Sequence, residues 1–445
     1  MVTGTGNNAT AVLDGFTITG GYANSQFPHD SGGGFYSDGP RTPTLTNCRF
    51  IENFAQAKGG AVYIQGTIAS ISNSQFLSNT SAYGGAIYLD ELGNMEISNS
   101  IFSGNIGGLG GAVYNNQCSR LSYINCAFTG NDSYTSGGVC NNQGSEIQYI
   151  NCTFTANKRG RDGGAIHNVS SSPHFLNCII WWNGNEPYAN QAESSVLNEN
   201  SSPLFSYSLV ANSGGSFDWN PETGVDGGNN IDIDPQFSKA ISPNSAPTTD
   251  GDFRLTVAST VLDSGDKTVN PSYVDLADGK RVRNGQIDLG PYEGGLLFDE
   301  TFQYQDWIEA YYSRNLGEDV LGPTQDRDED QLTNLEEYAF GLNPTKHDRS
   351  IVLERTYMET RGTPVALILE EGRAMVFSQR SGFKSLGLSY TFECSEDLNT
   401  WTACQGDTIS MDRDGEMELT GFILDEASYN SGKRQFLRAT VHLDQ

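Results

Sequence analysis

The sequence predicts a mainly β protein, in which a right-handed parallel β-helix precedes a short helical linker and a small β-sandwich. Two observations carry this prediction. An asparagine-centred motif recurs every 26 residues between residues 47 and 180, and each repeat is too short to include a helix of about 10 residues between its strand-like segments. After Gly294 and Gly295 the composition changes from a glycine- and asparagine-rich repeat to a more charged segment.

The composition excludes several classes of protein. The 445 residues include 26 Lys and Arg against 54 Asp and Glu, a formal charge of −28, so we expect no nucleic-acid partner. No apolar run approaches the roughly 18 residues that a membrane-spanning helix needs. Hydrophobic residues make up only 37%, yet the chain has 22 Phe, 20 Tyr and 5 Trp. These aromatic residues predict a core that is built from few apolar positions per repeat.

The repeat assigns residues to the inside and the outside of the solenoid. Three columns read as inward: an apolar column, a Cys or Ser column, and a Phe column. Their members begin with Leu45, Cys48 and Phe50 and return in every repeat as far as Phe175, Cys178 and Ile180. The column after Cys or Ser, from Arg49 to Ile179, is mixed and is predicted to face outward. We expect Cys126, Cys152 and Cys178 to form a buried stack of thiols rather than bridges.

The corners of each repeat are predicted from asparagine and glycine. The asparagine before Cys or Ser tolerates the left-handed conformation of a tight corner, and its amide can bond along the stack. Glycine pairs such as Gly59-Gly60 supply a second sharp bend. Each turn would then carry about three short strands, with successive turns about 4.8 Å apart.

Two resemblances accompany this pattern. Gly85-Ala86-Ile87 with Phe76-x-x-Asn79, and the equivalent motifs over residues 11–185, are similar to repeats of the chlamydial polymorphic outer-membrane proteins. Residues 200–295 resemble the closing segment of secreted bacterial β-helix proteins of the choice-of-anchor Q type. This resemblance implies an extracellular or cell-surface protein.

No signal peptide is visible, and we expect an upstream segment to be missing. We also expect residues 200–295 to cap the open end of the stack.

An acidic loop predicts a calcium site. Asp326, Asp328 and Asp330 occupy positions 1, 3 and 5 of an EF-hand-like loop that follows a predicted helix over 302–312. The other predicted ligands are the backbone oxygen of Leu332 and the side chains of Asn334 and Glu337. Gln331 departs from the pattern, because it replaces the usual glycine. The loop resembles a linker of planctomycete and verrucomicrobial secreted proteins. The alternative is an acidic helix N-terminus.

Residues 347–445 read as a third domain, after the β-helix over 1–297 and the linker over 298–346. Strands are predicted at Ile351–Leu353, Val365–Leu369, Leu388–Cys394 and Phe436–Val441. The segment resembles a small β-sandwich module of the same secreted proteins. Cys394 and Cys404 flank a predicted hairpin turn, so a disulfide between them is expected in an oxidising compartment.

Aromatic residues on the solenoid are the candidates for ligand binding. Tyr63, Tyr88 and Tyr114 recur after the glycine pairs, and the branched residues beside them are better core candidates. We therefore expect the tyrosines to point outward, as a platform on which sugar rings stack. The alternative is that they stack to stabilise the solenoid. Trp181 and Trp182 are a second exposed candidate, with packing under the adjoining loop as their alternative.

Catalysis is the competing hypothesis. No pair of outward carboxylate columns fits a glycoside hydrolase. The candidates for a polysaccharide lyase are Lys158, Arg161 and His167, near the one basic cluster. Residues 1–297 carry 13 basic and 26 acidic side chains, which repel uronates unless calcium bridges them. The leading hypothesis is a monomeric, non-enzymatic binding or adhesion protein that recognises a polysaccharide or a cell-surface protein. A calcium-assisted lyase is the alternative.

Overall fold

The chain divides into two compact units in this computed structural model. The first, the solenoid unit, comprises Met1–Leu276 and Arg281–Gly295; the second, the C-terminal unit, comprises Ala277–Lys280 and Leu296–Gln445. The predicted linker and β-sandwich therefore fall within one unit. The structure describes residues 2–6, 11–39, 43–66, 69–91, 93–159, 164–184, 195–256, 258–270, 272, 274–277, 281–282, 286–294, 304, 308, 322–340, 342, 354–355, 360–361, 364–369, 372–380, 383, 388–395, 400–414, 417–425 and 436–443.

The solenoid unit is built from four sheets, S1 to S4, whose neighbouring strands pair parallel. S1 consists of Val2–Thr3, Phe35–Ser37, Val62–Gln65, Ile87–Asp90, Val113–Asn116, Val139–Asn142, Ile166–Val169 and Val196–Glu199. S2 consists of Val12–Asp14, Thr44–Thr46, Ala69–Ser72, Met95–Ser98, Leu121–Ile124, Ile147–Ile150, His174–Leu176, Leu204–Ser206 and Val225–Asp226. S3 consists of Thr17–Thr19, Arg49–Ile51, Gln75–Leu77, Ile101–Ser103, Ala127–Thr129, Thr153–Thr155, Ile179–Trp181 and Leu209–Val210. S4 consists of Tyr22–Ala23, Phe54–Ala55, Thr80–Tyr83, Ile106–Leu109, Asp132–Ser136 and Lys158–Arg159.

The three predicted inward columns form the core of the solenoid. Phe50, Phe76, Phe102, Phe128 and Phe154 are fully buried, and neighbouring rings stack with centroids 4.7–5.1 Å apart. The apolar column and the Cys or Ser column are buried as well. The prediction of a buried thiol stack is confirmed, because the thiols at 126, 152 and 178 are free and buried.

The asparagine corner is confirmed too. The six residues Asn47, Asn73, Asn99, Asn125, Asn151 and Asn177 have φ between 46° and 55°. Their amides bond along the stack, as between Asn151 Nδ2 and Asn125 Oδ1 at 3.0 Å. A second asparagine ladder is fully buried: Asn105 Nδ2 donates to Phe76 O and to Asn131 Oδ1. At the bends, backbone N–H and C=O groups lie outside the hydrogen-bonding pattern of the sheets. The asparagine side chains of the ladders provide their hydrogen-bond partners.

The prediction that residues 200–295 cap the stack is correct for only part of that range. Trp219 packs against the core with its ring 5.8 Å from Phe205, so the segment around it covers the end of the stack. Residues 235–294, the return segment, do not cap it. Instead they run back along the solenoid: Thr248 N donates to Gly130 O at 3.0 Å, and Asp266 N donates to Asn177 Oδ1 at 2.7 Å. Their regular elements are an antiparallel pair, Phe237–Lys239 with Asp252–Leu255, and the 3₁₀ turns Pro243–Ser245 and Lys267–Val269.

A buried ionic cluster lies at the end of the return segment. The Arg281 side chain is fully buried, with Nη1 2.8 Å from Glu293 Oε1 and Nη2 donating to Asp288 O. Backbone N–H groups of Asp263 and Gly294 donate to the Asp288 carboxylate. Burial nevertheless raises the pKa of Asp288 to about 6. Desolvation outweighs the hydrogen bonds and the Arg281 charge that favour the ionised form.

The C-terminal unit combines one helix with antiparallel sheets. The helix is Asn334–Phe340. One sheet joins Val365–Leu369, Gly372–Arg380, Met417–Leu424 and Gly406–Asp414; another joins Thr402–Ala403, Leu388–Ser395 and Phe436–Leu443; a third pairs Glu354–Arg355 with Thr360–Arg361. The predicted strands at Val365, Leu388 and Phe436 are confirmed, whereas Ile351–Leu353 lies outside the described residues.

The core of the C-terminal unit includes the helix. Tyr338, Ala339 and Phe340 pack with Phe377 and Leu388, and Tyr390 Oη donates to Ala339 O at 3.0 Å. Of the predicted helix over 302–312, Tyr304 and Ile308 are helical and buried, and its other residues lie outside the described part. Cys394 and Cys404 form the expected disulfide. No helix among the described residues is long and apolar enough to cross a membrane.

Candidate functional site

The tyrosine column leaves the lumen of the solenoid but does not reach solvent. Tyr63, Tyr88 and Tyr114 are 1%, 5% and 7% exposed and form a small core of their own with Tyr36 and Cys140. Tyr83 and Leu109 from S4 pack against them. The outward direction was predicted correctly, but the exposed platform for sugar rings was wrong. The fourth sheet, which the repeat did not reveal, provides the side chains that cover it.

Polar groups complete this buried column. The Lys58 ammonium lies 4.5 Å from the centre of the Tyr88 ring and 3.4 Å from Asp90 Oδ2. Asn116 Nδ2 donates to Asp90 Oδ1 at 2.7 Å. Burial raises the pKa of the Tyr63 phenol, and the Asp90 charge adds to that rise, so the phenol stays neutral at physiological pH. These contacts hold the side chains in place, so the buried tyrosine column has a structural role.

The other predicted binding residues lie elsewhere. Trp181 ends a strand of S3, and Trp182 follows it at a corner with φ 47°. Both side chains are half-buried. The loop that follows, residues 185–194, lies outside the described residues. The two tryptophans are therefore partly accessible at one corner of the solenoid, on a different sheet from the tyrosine column.

The lyase candidates are on separate sheets. Lys158 is on S4, where Nζ lies 3.4 Å from Asp132 Oδ2. His167 is on S1, continues the tyrosine column, and places Nε2 3.1 Å from Glu199 Oε1. Arg161 lies outside the described residues. The structure therefore pairs each of the two described candidates with a carboxylate of a neighbouring rung.

Of the outer faces of the three long sheets, S2 is the most open where it is described. The middle of S1 is covered by the tyrosine cluster and S4. On S3 the last four members of the column that was predicted to face outward are buried beneath the return segment: Ile101, Ala127, Thr153 and Ile179 are 0–7% exposed. The first two members, Arg49 and Gln75, are half-buried. On S2 the corresponding outward column includes Glu96 and Gln148, which are exposed, and Ser122 and His174, which are half-buried. Solvent thus reaches a polar strip along this sheet.

A groove of about 380 Å³, the S2 groove, lies on this strip. Its walls are Asn94, Arg120, Leu121, Ser122, Glu146, Ile147, Gln148, Ser172 and His174. Arg120 adopts φ 60° at the turn that leads into S2, and its carbonyl accepts from Met95 N at 3.3 Å. The turn thereby places the Arg120 and Glu146 side chains beside the outward column of the strands.

The S2 groove is polar and carries balanced charge. Arg120 and Glu146 are exposed and opposite in sign. Desolvation lowers the pKa of His174, so this side chain is neutral at physiological pH. Ser122, Gln148 and Asn94 supply hydroxyl and amide groups that both donate and accept hydrogen bonds. Such a surface suits an uncharged ligand that is rich in hydroxyl groups.

The acidic loop gathers three of the predicted calcium ligands. Carboxylate oxygens of Asp326, Asp328 and Asp330 lie within 4.8 Å of one another. The loop holds them in place: Gln331 N donates to Asp326 Oδ2 at 2.9 Å, and Leu332 N donates to Asp330 Oδ1 at 2.8 Å. Convergent hard oxygen atoms on a short loop fit the chemistry of Ca²⁺.

The remaining predicted ligands lie at the start of the helix. Leu332, Asn334 and Glu337 are buried, and Asn334 Nδ2 donates to Gly322 O, so Oδ1 is the atom that this side chain can offer to a cation. Thr333 and Glu336 form a capping box through Thr333 N and Glu336 Oε2 at 2.8 Å. Gln331 adopts φ 75°, so the loop makes its sharp turn without the usual glycine.

Comparison with known families identifies the solenoid. Residues 3–180 match the family model described as a right handed beta helix region. The solenoid unit is a right-handed parallel β-helix. The match covers the rungs that the asparagine motif predicted and ends before the return segment. No curated protein and no solved structure gives a match.

The S2 groove was not predicted from the sequence. Its signal is present, since Ser122, Gln148 and His174 stand one repeat apart and Asn94, Arg120, Glu146 and Ser172 do so as well. Polar residues at an outward position are common, however, and a repeat alone does not show which outer face stays open. That information comes from the return segment and from S4.

Proposed function

We propose that this β-helix protein is a non-enzymatic extracellular binding protein that recognises a polysaccharide through the S2 groove. The observation that carries the proposal is the groove itself, an open polar strip on a rigid stack whose other two long faces are largely covered. Hydroxyl, amide and balanced charged groups at regular positions suit a ligand with many hydroxyl groups.

The charges favour binding over the calcium-assisted lyase. Elimination from a uronate needs cations that neutralise the carboxylate, together with a base. Among the residues lining the S2 groove, Arg120 is the one permanent cation, and Glu146 follows it on the next rung. Outside the groove, Lys158 and His167 each contact a carboxylate on a neighbouring rung. An acidic polymer would therefore meet little positive potential on the described surface.

We also propose that Asp326, Asp328, Asp330, Leu332, Asn334 and Glu337 bind Ca²⁺ in the C-terminal unit. The convergence of three carboxylates at EF-hand spacing supports the metal site. The disulfide between Cys394 and Cys404 supports an extracellular location, because such bonds persist in oxidising compartments.

Affinity electrophoresis in gels that contain neutral polysaccharides tests the binding proposal. We expect a glucan, xylan or mannan to retard the protein, and Gln148→Ala and Arg120→Asn to restore its mobility. Asn at position 120 keeps the left-handed turn. The matched control is Gln143→Asn, at an exposed glutamine of the same rung that lies outside the groove; Asn keeps the left-handed backbone at this position as well. Equal mobility in every neutral gel would contradict the proposal, and unsaturated uronate products from an acidic polysaccharide would favour the lyase.

A further inference from the structure

The S2 groove is a repeated structure. Its turn positions, Asn94, Arg120, Glu146 and Ser172, follow one another at intervals of 26 residues. Its strand positions pair directly across the sheet, Ser122 with Gln148 and Gln148 with His174. Because parallel strands in register stack equivalent positions, the groove runs along the solenoid axis rather than across it.

The repeat distance of the groove is the rise of one rung. On the same strands of S2, the inward rings of Tyr123 and Tyr149 are 5.0 Å apart, and those of Tyr149 and Phe175 are 4.8 Å apart. The outward side chains follow the same rise. Three rises between position 94 and position 172 give a groove about 14 Å long at about 4.8 Å per rung.

The rise of one rung distinguishes between classes of polymer, because each class has its own repeat distance along its axis. An extended peptide places side chains on one face about 6.7 Å apart, twice its rise per residue, and loses register with the rungs after one step. A polyproline helix repeats after about 9 Å. An extended 1,4-linked chain of pyranose sugars advances by close to one rung per sugar, so that each sugar stays opposite one rung over several units.

The charge pattern selects among sugar chains. Arg120 and Glu146 alternate in sign on successive rungs, and the exposed Glu96 lies on the rung below Ser122. A uronate or sulfate on every sugar would face a carboxylate at alternate positions. His174 lies at the far end of the strip and adds no positive charge there, because desolvation lowers its pKa.

We infer that the ligand is an uncharged, extended polysaccharide that lies parallel to the solenoid axis, with one sugar on each of four consecutive rungs. This inference rests on the proposed function, because it specifies the ligand and its direction in the same groove. It predicts that affinity depends on the number of sugars: each rung adds contacts for one unit, and units beyond the fourth add none.

Calorimetric titration of the full chain with β-1,4-linked gluco-, xylo- and manno-oligosaccharides of one to six units tests the inference. For the sugar that binds, we expect affinity to rise about tenfold from the disaccharide to the tetrasaccharide, and then to stay level. Affinity that is independent of length would overturn the axial arrangement while leaving polysaccharide binding intact. Absence of binding by every polymer and oligomer would overturn the proposed function as well.

A block at one end of the groove gives a second test. Asn94→Tyr fills the position on the first of the four rungs, whereas Asn244→Tyr adds the same ring at an exposed site of the return segment. We expect the first variant to lower tetrasaccharide affinity to the value for the trisaccharide and to leave trisaccharide affinity unchanged. We expect no change in the control. Unchanged tetrasaccharide affinity in Asn94→Tyr, with loss in Gln148→Ala, would show a ligand lying across the sheet.

Discussion

The solenoid unit and the C-terminal unit obtain their order in different ways. In the solenoid unit each core residue stacks on its own equivalent, as Phe102 does on Phe76 and Phe128 at 4.9 and 4.8 Å. The C-terminal unit has no such repeat among its described residues. Its helix, disulfide and antiparallel sheets each occur once and meet in one irregular core.

The difference shows where each unit is vulnerable. A solenoid gains stability from many similar interfaces between neighbouring rungs, so damage to one rung weakens both interfaces that it makes. The C-terminal unit depends on two local devices, the acidic loop at the start of its helix and the disulfide. Perturbations can therefore be chosen that affect one unit only, and hydrogen exchange read by mass spectrometry reports the two units separately.

The largest effect is expected in the middle of the solenoid. Phe102→Ala removes a fully buried ring and leaves a cavity, which should cost about 3–5 kcal/mol in the unfolding free energy. Peptides of the neighbouring rungs should exchange faster, and peptides of the C-terminal unit should not change. The control is Phe217→Ala, since that ring is fully exposed. Equal losses in both units would mean that they do not unfold independently.

Removal of calcium is expected to act on the other unit. The proposed ligands lie in the acidic loop and in the first turn of the helix that packs on Phe377 and Leu388, so metal binding would stabilise the whole C-terminal core. At a free concentration 100 times the dissociation constant, binding adds about 2.7 kcal/mol. Chelation should therefore speed exchange in residues 322–443 alone. Asp328→Ala should abolish the calcium effect, whereas Asp425→Ala, an exposed acid of the same unit, should retain it. If chelation still speeds exchange in Asp328→Ala, the proposed calcium site would be contradicted.

Reduction of the disulfide is expected to destabilise the C-terminal unit and not the solenoid unit, by less than the removal of calcium. Loss of the bond between Cys394 and Cys404, which closes a short loop, should cost about 2 kcal/mol. The cysteines of the solenoid unit are buried and form no disulfide, so a mild reductant should leave that unit unchanged. The double variant Cys394→Ala with Cys404→Ala should reproduce the effect without reductant. A response of the solenoid to reductant would point to a bond that the structure lacks.

The smallest expected effect is a pH dependence confined to the solenoid unit. Burial raises the pKa of Asp288 to about 6, above the ordinary value of 3.8, so the folded state binds a proton more tightly than the unfolded state. This contribution is complete below pH 3.8 and is lost as the pH rises through 6. Lowering the pH from 7 to 5 should therefore stabilise the return segment by about 1 kcal/mol.

Asp288→Asn should reduce this acid stabilisation, and the buried Glu293 carboxyl of the same cluster, whose pKa is also raised by burial, should retain the rest. Asp218→Asn, at an exposed carboxylate of the same unit, should retain it. Denaturant titrations at pH 5, 6 and 7 measure the difference. A stability that falls on acidification from pH 7 to 5 in the parent protein, and equally in Asp288→Asn, would contradict the assignment to this carboxyl.

The sequence was informative where contacts repeat. The asparagine frame predicted the rung length, the lumen and the corner, because Asn125, Cys126 and Phe128 occupy the same environment as their neighbours one repeat away. It did not predict what covers the outside. The glycine pairs step by 25 to 27 residues, so the fourth sheet that buries Tyr88 and Tyr114 is hidden between frames. The return segment has no period at all. The binding face therefore became visible only once these covers were placed.

The path of the return segment has a consequence for how such a protein can change in length. Thr248 bonds to the rung of Gly130, whereas Asn270 and Asp266 bond to the rungs of Asn151 and Asn177. A repeat stack could otherwise grow or shrink by whole 26-residue units at little cost. Here the return segment is hydrogen-bonded to several specific rungs, so its own length fixes how many rungs lie alongside it. Insertion of one more rung beneath it would misplace every later bond, so the number of rungs in this stretch is set by a segment that is not itself repeated.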